Sequence, residues 1–230
     1  MTSVTAIIDS RAPQKAIDTM RKYCNVFLFH SENSTYDAIA CHPDVFLFQG
    51  IDSLIVAPNT PQNCIDLLQI KNCNYIFGES AIGSDLRNST PYNCIETEKN
   101  LFHKVGFTDS QIVKTVVKPM VALPQAYTRC SMFALNENAF ITSDKGIEKA
   151  LLQNGFSCFY CDPQGIVLPP YNHGFIGGCM GMWDKRLFVI GSLNHLKDGN
   201  KMREFINAQN LELVELYDGQ LYDGGGIFFL

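Results

Sequence analysis

The sequence predicts an α/β fold, a closed α/β propeller with five-fold pseudosymmetry that is built of ββαβ units, and the fifth unit is shared between the N- and C-termini. Two observations predict it. One order of elements recurs along the chain, and the parts left over at the two termini complete one another. A closed ring leaves no strand edge open, whereas an open array would need polar capping repeats, which the sequence lacks.

The clearest copy of the unit spans Ser131–Asp162. Its apolar strands SMFAL and AFITS flank a polar turn, and the helical stretch DKGIEKALLQNG and the strand SCFYCD follow. The same order is found at Asp44–Phe77 and Gly174–Tyr217, and in a weaker form at Tyr92–Leu123. These four copies predict four complete units.

The fifth copy is divided between the chain ends. The C-terminal GGGIFFL supplies its first strand and VTAIIDS, near the N-terminus, supplies the second. The helical stretch PQKAIDTMRKYC and the strand NVFLF complete it. Pairing of the last strand with the first would close the ring.

Composition indicates one globular domain, residues 1–230, because the chain is 46% hydrophobic and no linker divides it. The net charge of −5 argues against a nucleic-acid partner. No apolar run approaches the roughly 20 residues that span a bilayer, so no membrane partner is expected. A small-molecule ligand is the partner that we expect; the oligomeric state is left open.

Nine cysteines occur without paired spacing and without a signal peptide. This odd number, largely within apolar runs, indicates reduced thiols and a cytoplasmic location. The Cys158–Cys161 pair lies on a predicted strand, where residues three apart point to opposite faces, so core packing is expected. The sequence predicts no metal site and no cofactor.

Two glycine-rich segments, YDGGGIFFL at Tyr222–Leu230 and FIGGCMGMWDKRLFVIG at Phe175–Gly191, carry a family resemblance. They resemble signatures of the pentein superfamily, whose members include agmatine deiminase, arginine deiminase and dimethylarginine dimethylaminohydrolase. The chain also resembles a bacterial group of guanidine-modifying-enzyme-like domains. The resemblance to the superfamily implies the five-bladed fold and, if the chain is an enzyme, a hydrolase acting on non-peptide C–N bonds. The bacterial group implies a fold and no activity.

Those enzymes use a Cys thiolate as nucleophile and a His as general acid and base. The resemblance aligns the Cys position with Phe229 and the His that precedes it with Phe228. In the second segment, Gly181 stands at the His position and Cys179 stands where the family has Asp or Ser. Phenylalanine can act neither as a nucleophile nor as a general acid and base, so the standard deiminase mechanism is not expected.

In such a ring the starts of the five first strands should meet around one pocket. They are the segments CHPD (41–44), PYN (91–93), TRCS (128–131), YNHG (171–174) and YDGG (222–225). This set offers a nucleophile, bases, carboxylates and a cation, as a catalytic pocket requires. The ligand-binding candidates are Asp44, Asn93, Arg129, Ser131, Asp223, Gly177 and Gly178.

Cys130 is the candidate nucleophile, because the adjacent Arg129 could lower its thiol pKa. His173 and His42 are the candidate bases, since imidazole titrates near neutral pH. Each of these residues also has an ordinary alternative. A Cys before an apolar strand can fill the core, and a His or Asp in a turn can bond nearby backbone.

Three functions are compatible with these residues. The first is a protein that binds a guanidino, amidine or amino-acid-like ligand in the channel; it fails if aromatic packing around Phe228 and Phe229 closes the channel. The second is a divergent C–N hydrolase with Cys130 as nucleophile, which predicts fast iodoacetamide labelling of that thiol. The third is a non-catalytic scaffold for a partner. The first is favoured.

Overall fold

Five three-stranded sheets with one pattern of strand pairing make up the fold. The structure, a computed structural model, describes residues 4–230. In each of these sheets the central strand is antiparallel to one neighbour and parallel to the other. A separate two-stranded parallel sheet is the sixth. The fold is therefore mixed α/β, as predicted.

The first sheet combines strands from both ends of the chain. Its central strand is antiparallel to the C-terminal strand Phe228–Phe229 and parallel to the second strand. Ala6 lies opposite Phe229, and Thr5 exchanges two backbone hydrogen bonds of 2.9 Å with Leu230. The N-terminal elements are β1 (Thr5–Asp9), α1 (Gln14–Met20) and β2 (Asn25–Phe29).

The second sheet begins later than predicted. Pro43–Phe46 form one helical turn, and the strand starts at Leu47 rather than at Asp44. Pro43 occupies the first helical position, where its fixed φ suits a helix and no N–H is needed. A 3₁₀ turn, Asp37–Ile39, precedes this region. The elements are α2 (Pro43–Phe46), β3 (Leu47–Gln49), β4 (Leu54–Val56), α3 (Gln62–Ile70) and β5 (Ile76–Phe77).

The third sheet forms from the weakest of the predicted copies, in the predicted order of elements. Its central strand pairs Phe102 with Ile95 on one side and with Val121 on the other. The elements are β6 (Ile95–Glu96), β7 (Leu101–His103), α4 (Ser110–Thr115) and β8 (Met120–Ala122).

The fourth sheet forms from the clearest copy, and the capping and the buried face of its helix explain why the sequence predicts this element. Asp144 caps the helix by accepting a hydrogen bond of 2.8 Å from the Ile147 N–H. Ile147 and Leu151, four residues apart, are buried on one face. A helical turn again precedes the first strand. The elements are α5 (Thr128–Ser131), β9 (Met132–Ala134), β10 (Ala139–Thr142), α6 (Lys145–Gln153) and β11 (Ser157–Tyr160).

The fifth sheet also begins later than predicted, at Met180, because Gly177–Cys179 form a 3₁₀ turn. A β-carbon on Gly177 would lie 2.2 Å from the carbonyl oxygen of Arg129, so only glycine fits there. A second 3₁₀ turn spans Leu193–His195. The remaining elements are β12 (Ile166–Val167), β13 (Met180–Trp183), β14 (Arg186–Val189), α7 (Gly199–Asn207), β15 (Glu212–Glu215), β16 (Leu221–Tyr222) and β17 (Phe228–Phe229).

Aromatic packing joins the third and fourth sheets. Phe102 of β7 lies 5.0 Å from Phe140 of β10, and both rings lie within 5.4 Å of Phe156, measured between ring centroids. Burying a phenylalanine stabilises a fold by about 1.5–3 kcal/mol. Cys158 packs against this group and Cys161 belongs to a different core cluster, as the predicted alternation requires. Across residues 4–230, no helix has both the length and the apolar character needed to cross a membrane.

Candidate functional site

A cavity of about 410 Å³ lies over several of the side chains that the sequence singled out. Its wall is mainly aromatic and its floor is polar. Among residues 4–230, no lysine and no arginine line it. The residues that line it are Tyr36, Ile39, His42, Tyr127, Cys130, Leu168, Tyr171, Asn172, His173, Phe175 and Asp223.

Cys130 lines this cavity, and Asp44 contacts Cys130 from behind the lining. Each is carried by a one-turn helix, α5 or α2, immediately before a first strand. The thiol of Cys130 donates to Oδ2 of Asp44 over 2.8 Å. The two side chains are buried, so the helical turns bring a thiol and a carboxylate together away from bulk water.

Asn93 fixes this pair from the neighbouring unit. Its Oδ1 accepts a hydrogen bond of 3.1 Å from the backbone N–H of Cys130. Its Nδ2 lies 3.3 Å from the carbonyl oxygen of Asp44 and 3.6 Å from the Cys130 sulfur. Asn93 is buried and does not line the cavity, so it positions the other two residues.

Asp223 forms a second carboxylate at the floor. Its Oδ2 accepts a hydrogen bond of 2.8 Å from the N–H of Phe175, and its Oδ1 accepts one of 3.2 Å from the N–H of Gly225. Gly178 packs directly against it, since a β-carbon there would lie 1.8 Å from Oδ1. Gly178 thus contributes space and backbone contacts, and its carbonyl accepts the N–H of Gly226 over 2.7 Å.

His42 lies between two buried carboxylates. Nε2 is 3.7 Å from Oδ2 of Asp9, and Nδ1 is 3.9 Å from Oδ1 of Asp223. Neither ring nitrogen has a hydrogen-bond partner among the described residues, and Oδ1 of Asp44 also lacks one. Burial lowers the pKa of His42 to about 3, so the ring is neutral near pH 7.

Burial also shifts the carboxyl groups of the floor toward their neutral forms. It raises the pKa of Asp44 to about 6, against the opposing charge of Arg129. It raises the pKa of Asp223 to about 7, and the nearby Asp44 adds to the rise. Burial and the Asp44 carboxylate hold the pKa of the Cys130 thiol well above its usual range. The Arg129 charge interacts with this thiol, but burial and the carboxylate outweigh it.

Arg129 points away from the cavity. Its guanidinium donates to the carbonyl oxygens of Gly177, over 2.7 Å, and Met180, over 3.0 Å. It lies between the rings of Phe133 and Phe228, 5.2 and 5.4 Å from their centroids. These contacts place Arg129 and Phe228 in the lining of a separate cavity of about 290 Å³. Aromatic packing at Phe228 therefore leaves the first cavity open.

The other predicted residues have mixed positions. His173 lines the cavity, half-buried, with Nδ1 3.0 Å from the carbonyl oxygen of Gly174. Ser131 is buried outside the lining, and its hydroxyl has no partner among residues 4–230. Phe229 packs against Trp183, also outside the lining. The structure thus brings His42, Asp44, Cys130 and Asp223 together, with His173 in the wall.

Sequence reasoning missed Asp9 and the tyrosine wall. Asp9 ends the buried strand β1, and a carboxylate at the end of an apolar strand was the available signal. The hydroxyl groups of Tyr36 and Tyr127 are hydrogen-bonded to each other, and Ser89 Oγ lies 2.6 Å from the Tyr127 hydroxyl. Tyr171 belongs to a predicted strand start, but its ring was not singled out.

Solved structures with a similar fold include DDAH and agmatine deiminase. A mutant of DDAH from Pseudomonas aeruginosa complexed with citrulline is 9% identical, with a TM-score of 0.56 over 92% of this chain and 90% of that chain. C. jejuni agmatine deiminase is 8% identical, with a TM-score of 0.57 over 93% of this chain and 86% of that chain. At these identities the likeness shows the fold alone, and it confirms the predicted resemblance to the fold of DDAH and agmatine deiminase.

Comparison at the level of sequence gives a family without an activity. Residues 7–228 match the model of a group described as "Family of unknown function (DUF6873)". No curated protein matches the sequence. The function must therefore be argued from the cavity itself.

Proposed function

This chain belongs to the family of unknown function DUF6873, and we propose that it binds a small guanidino or amidine cation in the cavity above Asp44 and Asp223. The observation that carries the proposal is the buried carboxyl group of Asp223 in a lining that has no lysine or arginine among residues 4–230, with the buried carboxyl group of Asp44 directly behind Cys130. A planar cation with several N–H donors is the partner that carboxylates bind most strongly. Such a cation would also favour their charged forms, which burial now opposes.

The aromatic wall of the cavity also favours binding of a cation. Tyr36, Tyr127 and Tyr171 present aromatic rings to it, and Phe175 adds a fourth. Aromatic faces attract organic cations by about 0.5–2 kcal/mol each. Since no lysine or arginine of the described residues lines the cavity, a ligand carboxylate would lack the ionic partner that such a side chain provides. We therefore expect amidines and decarboxylated guanidino compounds to bind better than amino acids.

We also propose that the five three-stranded sheets form one closed ring, as a single domain with the fifth unit shared by the termini. Contacts between successive strand starts support closure. Asn93 contacts Asp44 and Cys130, and Arg129 contacts Gly177. Gly178 accepts a backbone hydrogen bond from Gly226. Gly225 packs against His42, whose Cβ would lie 2.4 Å from a β-carbon at position 225, and this contact completes the circle.

A circular permutant tests the closed ring. Thr5 and Leu230 are hydrogen-bonded, so a short linker can join the termini, and new termini can be opened at the exposed Gln164. We expect the permutant to keep the circular dichroism spectrum and the cooperative unfolding of the parent. A permutant that unfolds in two separate transitions would contradict a single closed domain.

A thermal-shift screen tests the ligand. Agmatine and acetamidine should raise the melting temperature of the full chain, by mass action, more than arginine or methylated arginines do, and glutamate should have no effect. At a hundredfold excess over Kd the expected stabilisation is about 2.7 kcal/mol. The shift should disappear in Asp223→Asn and persist in Asp52→Asn, a matched change of an exposed carboxylate. No shift with any cation would reject the proposal and favour the scaffold function.

The contact between Cys130 and Asp44 favours one second candidate, hydrolysis of a C–N bond in the bound cation. Cys130 would attack the amidinium carbon while its proton passes to Asp44, and the departing nitrogen would take that proton as the C–N bond breaks. A water molecule would then attack the same carbon and give a proton to His173, the C–S bond would break, and that proton would return to the Cys130 sulfur. Release of ammonia or amine that Cys130→Ala abolishes and Cys179→Ala retains would support it; no release by the parent chain would reject it.

The Cys and His of the standard deiminase mechanism take no part in this proposal, because Phe229 and Phe228 stand at the positions that the resemblance implies for them. The cytoplasmic location and the absence of a nucleic-acid or membrane partner stay predictions from composition.

A further inference from the structure

Three potential metal-binding side chains converge at the floor of the cavity. His42, Asp44 and Cys130 each offer one atom, and these atoms lie within 4.8 Å of one another. All three residues are buried. Eighty-six residues separate Cys130 from Asp44, so the spacing in the sequence could not reveal the group.

Atoms of this group also lack protein partners. Both ring nitrogens of His42 and Oδ1 of Asp44 are buried without a hydrogen-bond partner among residues 4–230. Leaving a buried polar group unsatisfied costs about 1–3 kcal/mol. A bound ion would satisfy one nitrogen and one oxygen together.

The surroundings match the outer shell of a metal site. A His that binds a metal normally gives its second nitrogen to a carboxylate, which orients the ring. His42 has Asp9 3.7 Å from Nε2 and Asp223 3.9 Å from Nδ1, so either nitrogen could bind the ion while the other faces a carboxylate. Asn93 holds the backbone of both Cys130 and Asp44.

We propose that His42, Asp44 and Cys130 form a binding site for Zn²⁺, with a fourth coordination position facing the cavity. Nitrogen, oxygen and sulfur donors at about 2.0–2.3 Å suit Zn²⁺, and three protein ligands with one open position are typical of zinc sites that take a further ligand. A thiol and an imidazole argue against Mg²⁺ and Ca²⁺, which prefer oxygen. On binding, the Cys130 thiol loses its proton to water, its hydrogen bond to Asp44 gives way to an S–Zn bond, and Asp44 binds through a carboxylate oxygen.

The ion and an organic cation would both use Asp44, so they are alternative occupants of the floor. The proposed zinc site does not rest on the proposed ligand, but the two occupants compete for Asp44. It predicts that saturating Zn²⁺ abolishes the thermal shift caused by agmatine, and that a chelator restores it. Zinc binding is measured in the absence of the organic cation, and the thermal shift caused by agmatine is measured in the presence of a chelator. Either proposal can then fail without affecting the test of the other.

The direct test is a titration of the chelator-treated full chain with Zn²⁺ and, as a spectroscopic probe, Co²⁺. We expect one equivalent to bind tightly, with a thiolate-to-cobalt charge-transfer band and the visible bands of tetrahedral cobalt. Cys130→Ser should lose the charge-transfer band. Cys179→Ser, a change of another buried cysteine that does not line the cavity, should keep it.

Changes in the outer shell give a second test that leaves the ligands intact. Asp9→Asn should weaken zinc binding by about 10–100-fold. X-ray absorption of the zinc-loaded parent should show one sulfur neighbour and the rest nitrogen or oxygen, a result that requires no variant to fold. No bound zinc, two or more sulfur neighbours, or a charge-transfer band that survives in Cys130→Ser would overturn the proposal.

Discussion

The sulfur of Cys130 lies 2.8 Å from Oδ2 of Asp44, although 86 residues separate the two in the sequence. The contact joins the first strands of two different units through their preceding helical turns. It makes the thiol a hydrogen-bond donor rather than a thiolate, since burial and the carboxylate both raise its pKa. The pKa of this thiol is therefore raised, whereas the sequence alone suggested that the adjacent Arg129 could lower it.

In the ligand-free chain Cys130 should react slowly with iodoacetamide near neutral pH. The thiolate is the reactive form, and the raised pKa keeps it scarce even though the residue lines the cavity. Peptide mass spectrometry should find the half-buried Cys24 and Cys73 modified first. Asp44→Asn should speed labelling of Cys130 severalfold by removing the nearby negative charge. Labelling of Cys130 before Cys73 in the parent chain would contradict the structure.

Much of the fold could be predicted from the sequence, because it depends on local patterns. The strand Ala139–Thr142 and the helix Lys145–Gln153 follow from apolar alternation and a capping Asp. The helical turns at Pro43–Phe46 and Gly177–Cys179 were missed, because apolar residues continue through them into the strands. At Gly177 the conformation depends on close contact with the backbone of Arg129, which is remote in sequence.

The site was predicted less completely, since side-chain direction depends on those turns. His42, Asp44, Cys130 and Asp223 were chosen as polar residues at the starts of strands, and they do meet. Arg129 was chosen on the same grounds, but its long side chain reaches the carbonyl oxygens of Gly177 and Met180 instead. No pattern in the sequence distinguishes these two outcomes.

Gly178→Ala should displace Asp223 and abolish the response to cations. The new β-carbon would lie 1.8 Å from Oδ1 of Asp223, a distance that requires the carboxylate or the backbone to move. Gly155→Ala is the control: it meets no atom within 4 Å but has a φ of +81°, so it should cost about 1–2 kcal/mol of conformational strain. Urea unfolding and the thermal-shift assay would measure both variants. An unchanged agmatine shift in Gly178→Ala would contradict the role of Asp223.

His103 should make the fold sensitive to acid. It is buried with Nδ1 2.7 Å from Thr108 Oγ1 and Nε2 2.9 Å from the carbonyl oxygen of Ala126, contacts that the neutral ring satisfies. Burial lowers its pKa from 6.5 to about 4. The folded pKa is below the unfolded one, so its contribution is complete above pH 6.5 and is lost as the pH falls toward 4. The loss is about 3 kcal/mol.

Urea unfolding at a series of pH values would measure this loss. His103→Gln should reduce the slope of the curve between pH 6.5 and 4 relative to the parent chain, because one of two buried imidazoles with a lowered pKa is gone and His42 remains. Equal slopes in the parent and in His103→Gln would show that the buried imidazole does not titrate in this range.

Tyr171→Ala should weaken binding of the cation without destabilising the fold. Its side chain lines the cavity but the residue is 55% exposed, so little packing is lost when the ring is removed. Loss of one aromatic face should reduce affinity for agmatine by about 0.5–1 kcal/mol, or two- to fivefold in Kd. Tyr171→Phe is the matched control, because it keeps the ring and loses only the hydroxyl. Calorimetric titration should give the parent affinity for Tyr171→Phe. Equal weakening in both variants would assign the effect to the hydroxyl group, and the aromatic wall would then not be the source of selectivity for a cation.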